Sequence, residues 1–91
     1  MSYEIHHDPV AHRFTTLVEG VEAEVNYNYD GDVLVIHHTS VPRPLEGRGI
    51  ASELVRAVFE FARGAGKKVR PACSYAAVWV QRHKQYSDVL V

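Results

Sequence analysis

Between Val41 and Ala51 the chain reads Val-Pro-Arg-Pro-Leu-Glu-Gly-Arg-Gly-Ile-Ala, a glycine-containing turn that leads into a run with helical apolar spacing. Such a turn leaves several amide N–H groups without carbonyl partners, and the helix dipole adds positive potential at the same point. Gly47 and Gly49 carry no side chain to hold an anion off those amides, while Ile50 and Ala51 begin the buried helical face. The segment suits a pyrophosphate. The same glycines also fit a plain strand-to-helix connection in which they serve the turn alone. Two better-known phosphate motifs do not fit. A dinucleotide fingerprint wants glycine or alanine where Ser52 stands, and Gly66-Lys67 has Phe61 and Lys68 where a triphosphate loop needs a glycine and a hydroxyl.

Cys73, the single cysteine, falls at a second strand-to-helix junction. It is either a small packed residue or a thiol whose thiolate form is favoured by the helix terminus and which accepts an acyl group transiently. One cysteine excludes an internal disulfide framework and a multi-cysteine zinc site. His37 and His38 are neighbours on an extended segment, so strict alternation sends them to opposite faces and they do not readily clamp one metal. With His6, His7 and His12 nearby a metal site is conceivable, but solvent-facing or hydrogen-bonded core histidines are the commoner outcome, and no metal is expected.

The elements that must hold these residues follow from periodicity. Segments from Ser2 to Asp8 and from His12 to Glu19 read as strands before a turn at Gly20. From Val21 to Tyr29 apolar and polar residues alternate, as on a half-exposed strand, and Asp30-Gly31-Asp32 supplies a tight hairpin turn. Val33-Leu34-Val35-Ile36 predicts a strand covered on both faces at the sheet's centre, continuing to Val41, where Pro42 and Pro44 end it. Ile50, Leu54, Val58, Phe61 and Ala62 have helical spacing up to Gly64 and Gly66. Lys68 to Pro71 reads as a short strand. Cys73 to His83 fits a second helix, with Ala76, Ala77, Val80 and Trp79 as its inward side and Ser74 as a possible cap. Strand, helix, strand implies a parallel pair. The expected class is α+β: a mostly antiparallel sheet of about five strands with one parallel addition and two main helices.

With 91 residues and 46% hydrophobic content, a single domain over residues 1–91 is expected. The 10 basic and 11 acidic residues nearly cancel, so no overall field draws nucleic acid or an anionic membrane, and any anion site is local. There is no signal-like start and no apolar run of the roughly 20 residues needed to span a bilayer, so a cytoplasmic protein is expected.

The stretch Glu46-Gly47-Arg48-Gly49-Ile50-Ala51 resembles the acetyl-coenzyme A signature of Gcn5-related N-acetyltransferases. His38-Thr39-Ser40-Val41-Pro42, together with Pro71-Ala72-Cys73-Ser74-Tyr75, is similar to the very small branch of that superfamily, and the likeness runs from Phe14 to Leu90. The resemblance implies an acyl-coenzyme A N-acyltransferase fold, with the sheet splayed between its two parallel strands. It also implies acetyl-coenzyme A as cofactor. The pantetheine would lie along Thr39, Ser40 and Val41, and the pyrophosphate on Gly47, Arg48, Gly49, Ile50 and Ala51. Ser74 would also bind the cofactor, and Cys73 and His38 would be the candidates for catalysis. Glu46 departs from the usual Arg or Gln, Val80 falls where larger relatives often carry a tyrosine acid, and the acceptor-shaping helical insertion is missing. The implied activity is acetyl transfer to a primary amine, on a small molecule or on a protein or peptide, by a monomer or weak dimer. A non-catalytic acetyl-coenzyme A or coenzyme A module or sensor is the alternative.

Overall fold

A computed structural model describes residues 3–91; Ser2, where the first strand was expected to begin, lies outside them. The strands are β1 (His6–Asp8), β2 (Arg13–Val18), β3 (Val21–Asp30), β4 (Val33–Ser40) and β5 (Lys68–Pro71), and the helices are α1 (Ile50–Ala65) and α2 (Ser74–Gln81). Short 3-10 turns occupy Arg43–Leu45 and Lys84–Val89. Among the described residues the strands form one sheet in the order β1-β2-β3-β4-β5, antiparallel except for the β4–β5 pair. This is the expected α+β sheet with its single parallel addition.

The hairpins follow from their turn residues. Glu19 and Gly20 both take positive φ, 54° and 77°, the left-handed pair that a type I′ turn requires between Val18 and Val21. Gly31, at φ 61°, opens the two-residue turn joining Asp30 to Val33. Gly66, at φ 69°, ends α1 and donates its N–H to Ala62 and Arg63; Gly64 lies inside the helix and does not stop it.

Several expectations need correction. The strand at the centre is β3, not β4, and β4 is covered on one face: Leu34 and Ile36 are buried while Val33 and Val35 are half-buried. The reason is that α1 and α2 pack on each other, Phe59 stacked 5.5 Å from Trp79, and share the face of Leu34, Ile36 and Val69. The β-branched residues at 33 and 35 suit a pleated, half-buried surface without a second layer. In α1 the fully buried aromatic is Phe59; Phe61 is half-buried, edge-on to the His7 ring at 4.5 Å.

Finally, His37 and His38 do not alternate. Tyr27 pairs with Ile36 and Asn26 with His38, so His37 is the extra residue of a β-bulge, and both histidines are exposed. The bulge puts Thr39 opposite Val25, a fully buried residue of the helix-covered face.

Candidate functional site

The parallel pairing of β4 with β5 ends at Ile36 and Pro71, although β4 continues to Ser40. Ile36 O accepts both Ala72 N–H and Cys73 N–H at 2.9 Å, which turns the chain out of β5 and into α2. Beyond that point the edge of β4 has no β5 partner. The strands part there, and a cleft of about 440 Å³ opens beside the end of β4, lined by Thr39, Val41, Leu45, Glu46, Gly47, Gly49, Ile50, Ala51 and Tyr75.

The mouth of the cleft is rich in unpaired donors. The first bond of α1 runs from Glu53 N–H to Gly49 O at 3.2 Å, and among the described residues no backbone carbonyl takes the amides of residues 47–52. Gly47 and Gly49, at φ 79° and 76°, flank Arg48, whose φ is not positive; such an alternation in the sign of φ is the kind found in anion-binding nests. A Cβ at either glycine would meet nothing within 4 Å, so conformation rather than crowding requires glycine there. Glu46 N–H is taken by Arg43 O at 3.1 Å, and the Glu46 side chain is exposed at the rim.

Of the residues singled out in the sequence, Thr39, Val41, Gly47, Gly49, Ile50 and Ala51 come together on this lining. Ser40 is half-buried beside it and off the lining. Arg48 turns away: its guanidinium donates to Glu19 Oε2 at 2.7 Å, and that bond raises the Arg48 pKa and lowers that of Glu19. His38 is exposed and outside the lining. Ser74 is exposed and does not cap α2; Cys73 is the N-cap, its Sγ accepting Ala76 N–H at 3.4 Å. The same sulfur lies 3.5 Å from Thr39 Oγ1, so Cys73 adjoins the cleft through Thr39.

Two lining residues carried no chemistry in the sequence. Leu45 is buried below the loop, and nothing in a proline-flanked turn announces it. Tyr75, in the first turn of α2, forms the wall facing β4's end, and burial pushes its hydroxyl pKa up while Ser52 and Arg82 pull it down. Arg82 and Arg43 make no ion pair among the described residues, unlike Arg48 and Arg70, which are held by Glu19 and Asp30. Ser52 Oγ in turn accepts the Trp79 indole N–H at 2.8 Å, fastening α2 to the first turn of α1.

A splayed parallel pair, a glycine nest and a helix N-terminus are here assembled by one strand-helix-strand unit. The sequence model of a GCN5-related N-acetyl-transferase family matches residues 13–89, which span that unit and the strands before it. The chain belongs to the GCN5-related N-acetyltransferase family. The chain is 32% identical over 82 residues to Protein NATD1 of Homo sapiens, covering 87% of this chain and 73% of that one. It is 31% identical over 83 residues to Protein NATD1 of Gallus gallus, covering 88% and 76%. The NMR solution structure of a GCN5-like protein from Staphylococcus aureus matches with a TM-score of 0.78 at 29% identity, over 98% of this chain and 88% of that one. The five-stranded sheet splayed at a parallel pair is thus the acyl-coenzyme A N-acyltransferase fold of the GCN5-related family.

Proposed function

We propose that the protein transfers an acetyl group from acetyl-coenzyme A to a primary amine, on a small molecule or on a protein or peptide, and that the donor lies in the cleft between the end of β4 and the start of α1. One observation carries this reading: among the described residues no backbone carbonyl takes the amides of residues 47–52, at the mouth of a cleft that runs along the free edge of β4. Unpaired amides at a helix N-terminus suit a pyrophosphate, and an unpaired strand edge suits the amides of a pantetheine arm. The cleft's volume lies in the ordinary range for small-molecule sites. Arg43 and Arg82, free of carboxylates among the described residues, are available for further phosphate charge.

Bound acetyl-coenzyme A supplies the activated acyl thioester. In this reading the residues of the chain do the rest. Gly47, Gly49, Ile50 and Ala51 hold the phosphates by backbone N–H, with Arg48 contributing its backbone only. Thr39, Ser40 and Val41 orient the arm by backbone pairing, and holding the thioester against a neutral amine supplies most of the rate advantage. As the C–N bond forms and the C–S bond breaks, the amine gives up a proton and the thiolate takes one. Tyr75 lines the cleft with a hydroxyl kept protonated at neutral pH, and in this reading it donates that proton. Ser74 has no role in this scheme, and His38 acts at most through the strand end that carries Thr39.

A second reading, a non-catalytic acetyl-coenzyme A module or sensor, draws on the exposure of His38, which leaves Glu46 and Tyr75 as the titratable side chains on the lining. Calorimetric titration of acetyl-coenzyme A and coenzyme A into the wild type and a Gly49→Glu variant tests the site. Binding that the variant abolishes supports it, and no binding to the wild type overturns both readings. Turnover with any member of an amine and peptide screen then separates enzyme from module.

A further inference from the structure

We infer that Tyr3 is a positioning residue for the phosphate-facing amides, acting from the N-terminal segment through the Arg48–Gly49 peptide. The inference rests on the reading of the cleft as a coenzyme A site. Arg48 stands between two left-handed glycines, so the peptides on either side of it have little intrinsic restraint, and residues 46–49 are all exposed. What restrains them comes from far away in the chain. Tyr3 Oη donates to Arg48 O at 2.8 Å. Arg48 Nη1 and Nη2 donate to Glu19 Oε2 and Oε1 at 2.7 and 3.5 Å.

A trans peptide is planar, with its C=O and N–H pointing in opposite directions. Arg48 O and Gly49 N–H belong to one such plane, so a hydroxyl that pins the carbonyl also sets the direction of the Gly49 N–H, a donor of the nest. Tyr3 is itself well placed for this. The next residue's carbonyl, Glu4 O, accepts from Thr16 Oγ1 at 2.8 Å, and Thr16 is 1% exposed; Tyr3 and Ile5 pack against the core. Glu19 adds a second restraint on Arg48. It occupies a left-handed turn position, φ 54°, where asparagine or glycine is the favoured residue, and its carboxylate is what reaches Arg48. A loop held in its binding geometry before the ligand arrives loses less entropy on binding.

The test is a Tyr3→Phe variant of the full chain, which removes one hydroxyl from a part-exposed residue. Affinities for coenzyme A and for S-acetylpantetheine, which lacks the pyrophosphate, are measured by calorimetry, and Gly49 amide order by ¹⁵N relaxation in the free protein. The expected result is a loss of coenzyme A affinity of about three- to tenfold, the scale of one hydrogen bond. The Gly49 order parameter should fall from about 0.85 toward about 0.6. Affinity for S-acetylpantetheine and the melting temperature should stay as in the wild type. A variant that binds coenzyme A like the wild type with Gly49 still rigid overturns the inference alone, as does equal loss of affinity for ligands with and without the pyrophosphate. A wild type that fails to bind coenzyme A overturns the cofactor reading and this inference with it.

Discussion

The Cys73 sulfur lies 3.5 Å from the Thr39 hydroxyl, joining the N-cap of α2 to the far end of β4 across the gap where β4 and β5 part. The thiol thus has a structural task, capping Ala76 N–H, and a position next to the cleft. Serine is a better cap than cysteine, so Cys73→Ser should hold or raise stability and Cys73→Ala should lower it by about 1 kcal/mol, read by urea unfolding. With direct attack of the amine on the thioester, both variants keep turnover within about tenfold of wild type. A loss of about a thousandfold in both, with an acetyl adduct on Cys73 by intact mass in the wild type, would instead establish a covalent route.

The wall facing Thr39 carries the second prediction. Tyr75→Phe keeps the ring that closes the cleft and removes the proton. It should lower kcat by about a hundredfold, the lower end of general acid contributions, and leave coenzyme A affinity within about threefold. Unchanged kcat would remove Tyr75 from the chemistry.

Two glycines with equally open surroundings should respond in opposite senses. A methyl group added at either Gly49 or Gly64 would meet no atom within 4 Å, but Gly49 has φ 76° and Gly64 lies inside α1. Gly49→Ala should destabilise by about 1–2 kcal/mol, the cost of a left-handed L-residue. Gly64→Ala should stabilise by about 0.5–1 kcal/mol. Equal shifts in urea midpoint would contradict the backbone argument.

The Trp79 indole N–H, on a side chain 4% exposed, has Ser52 Oγ as its acceptor. Ser52→Ala leaves that donor buried and unpaired, and should cost about 1–3 kcal/mol in thermal unfolding, with a change in tryptophan fluorescence. A variant as stable as wild type would mean that the indole finds another acceptor.

Acid should weaken the β1 edge. His7 stacks on Phe14 at 4.0 Å and lies 2.6 Å from the Tyr27 hydroxyl. Burial lowers its pKa below the ordinary 6.5, with Asp8 opposing and His12 reinforcing the shift. Because the unfolded chain binds this proton more tightly, stability falls as pH drops below about 6.5 and stops falling below the folded-state pKa. His7→Gln removes this titration, so its melting temperature should decline less than wild type between pH 7.5 and pH 5, in a scanning calorimeter. An equal decline would place the acid sensitivity elsewhere.

Local chemistry made several elements legible without the fold. The Lys68–Pro71 strand, the start of α1 after Gly49 and the Gly31 turn all depend on residues adjacent in the chain, through side-chain period, positive φ or the missing proline donor. The glycine nest was legible for the same reason, since its donors are consecutive amides. Tertiary structure alone decided which residues meet. Placing both helices on one face left Val33 and Val35 half-buried, and the addition of β5 alone beyond β4 made β3 the central strand. The extra residue at His37 broke the alternation that had sent the two histidines to opposite faces. Arg48 pairs with Glu19, 29 positions away, and Tyr75 reaches the cleft because Trp79 ties α2 to Ser52 on α1. These outcomes depend on contacts between residues distant in sequence, whose partners no periodicity encodes, whereas turns and helix starts are settled by a few neighbouring dihedral angles.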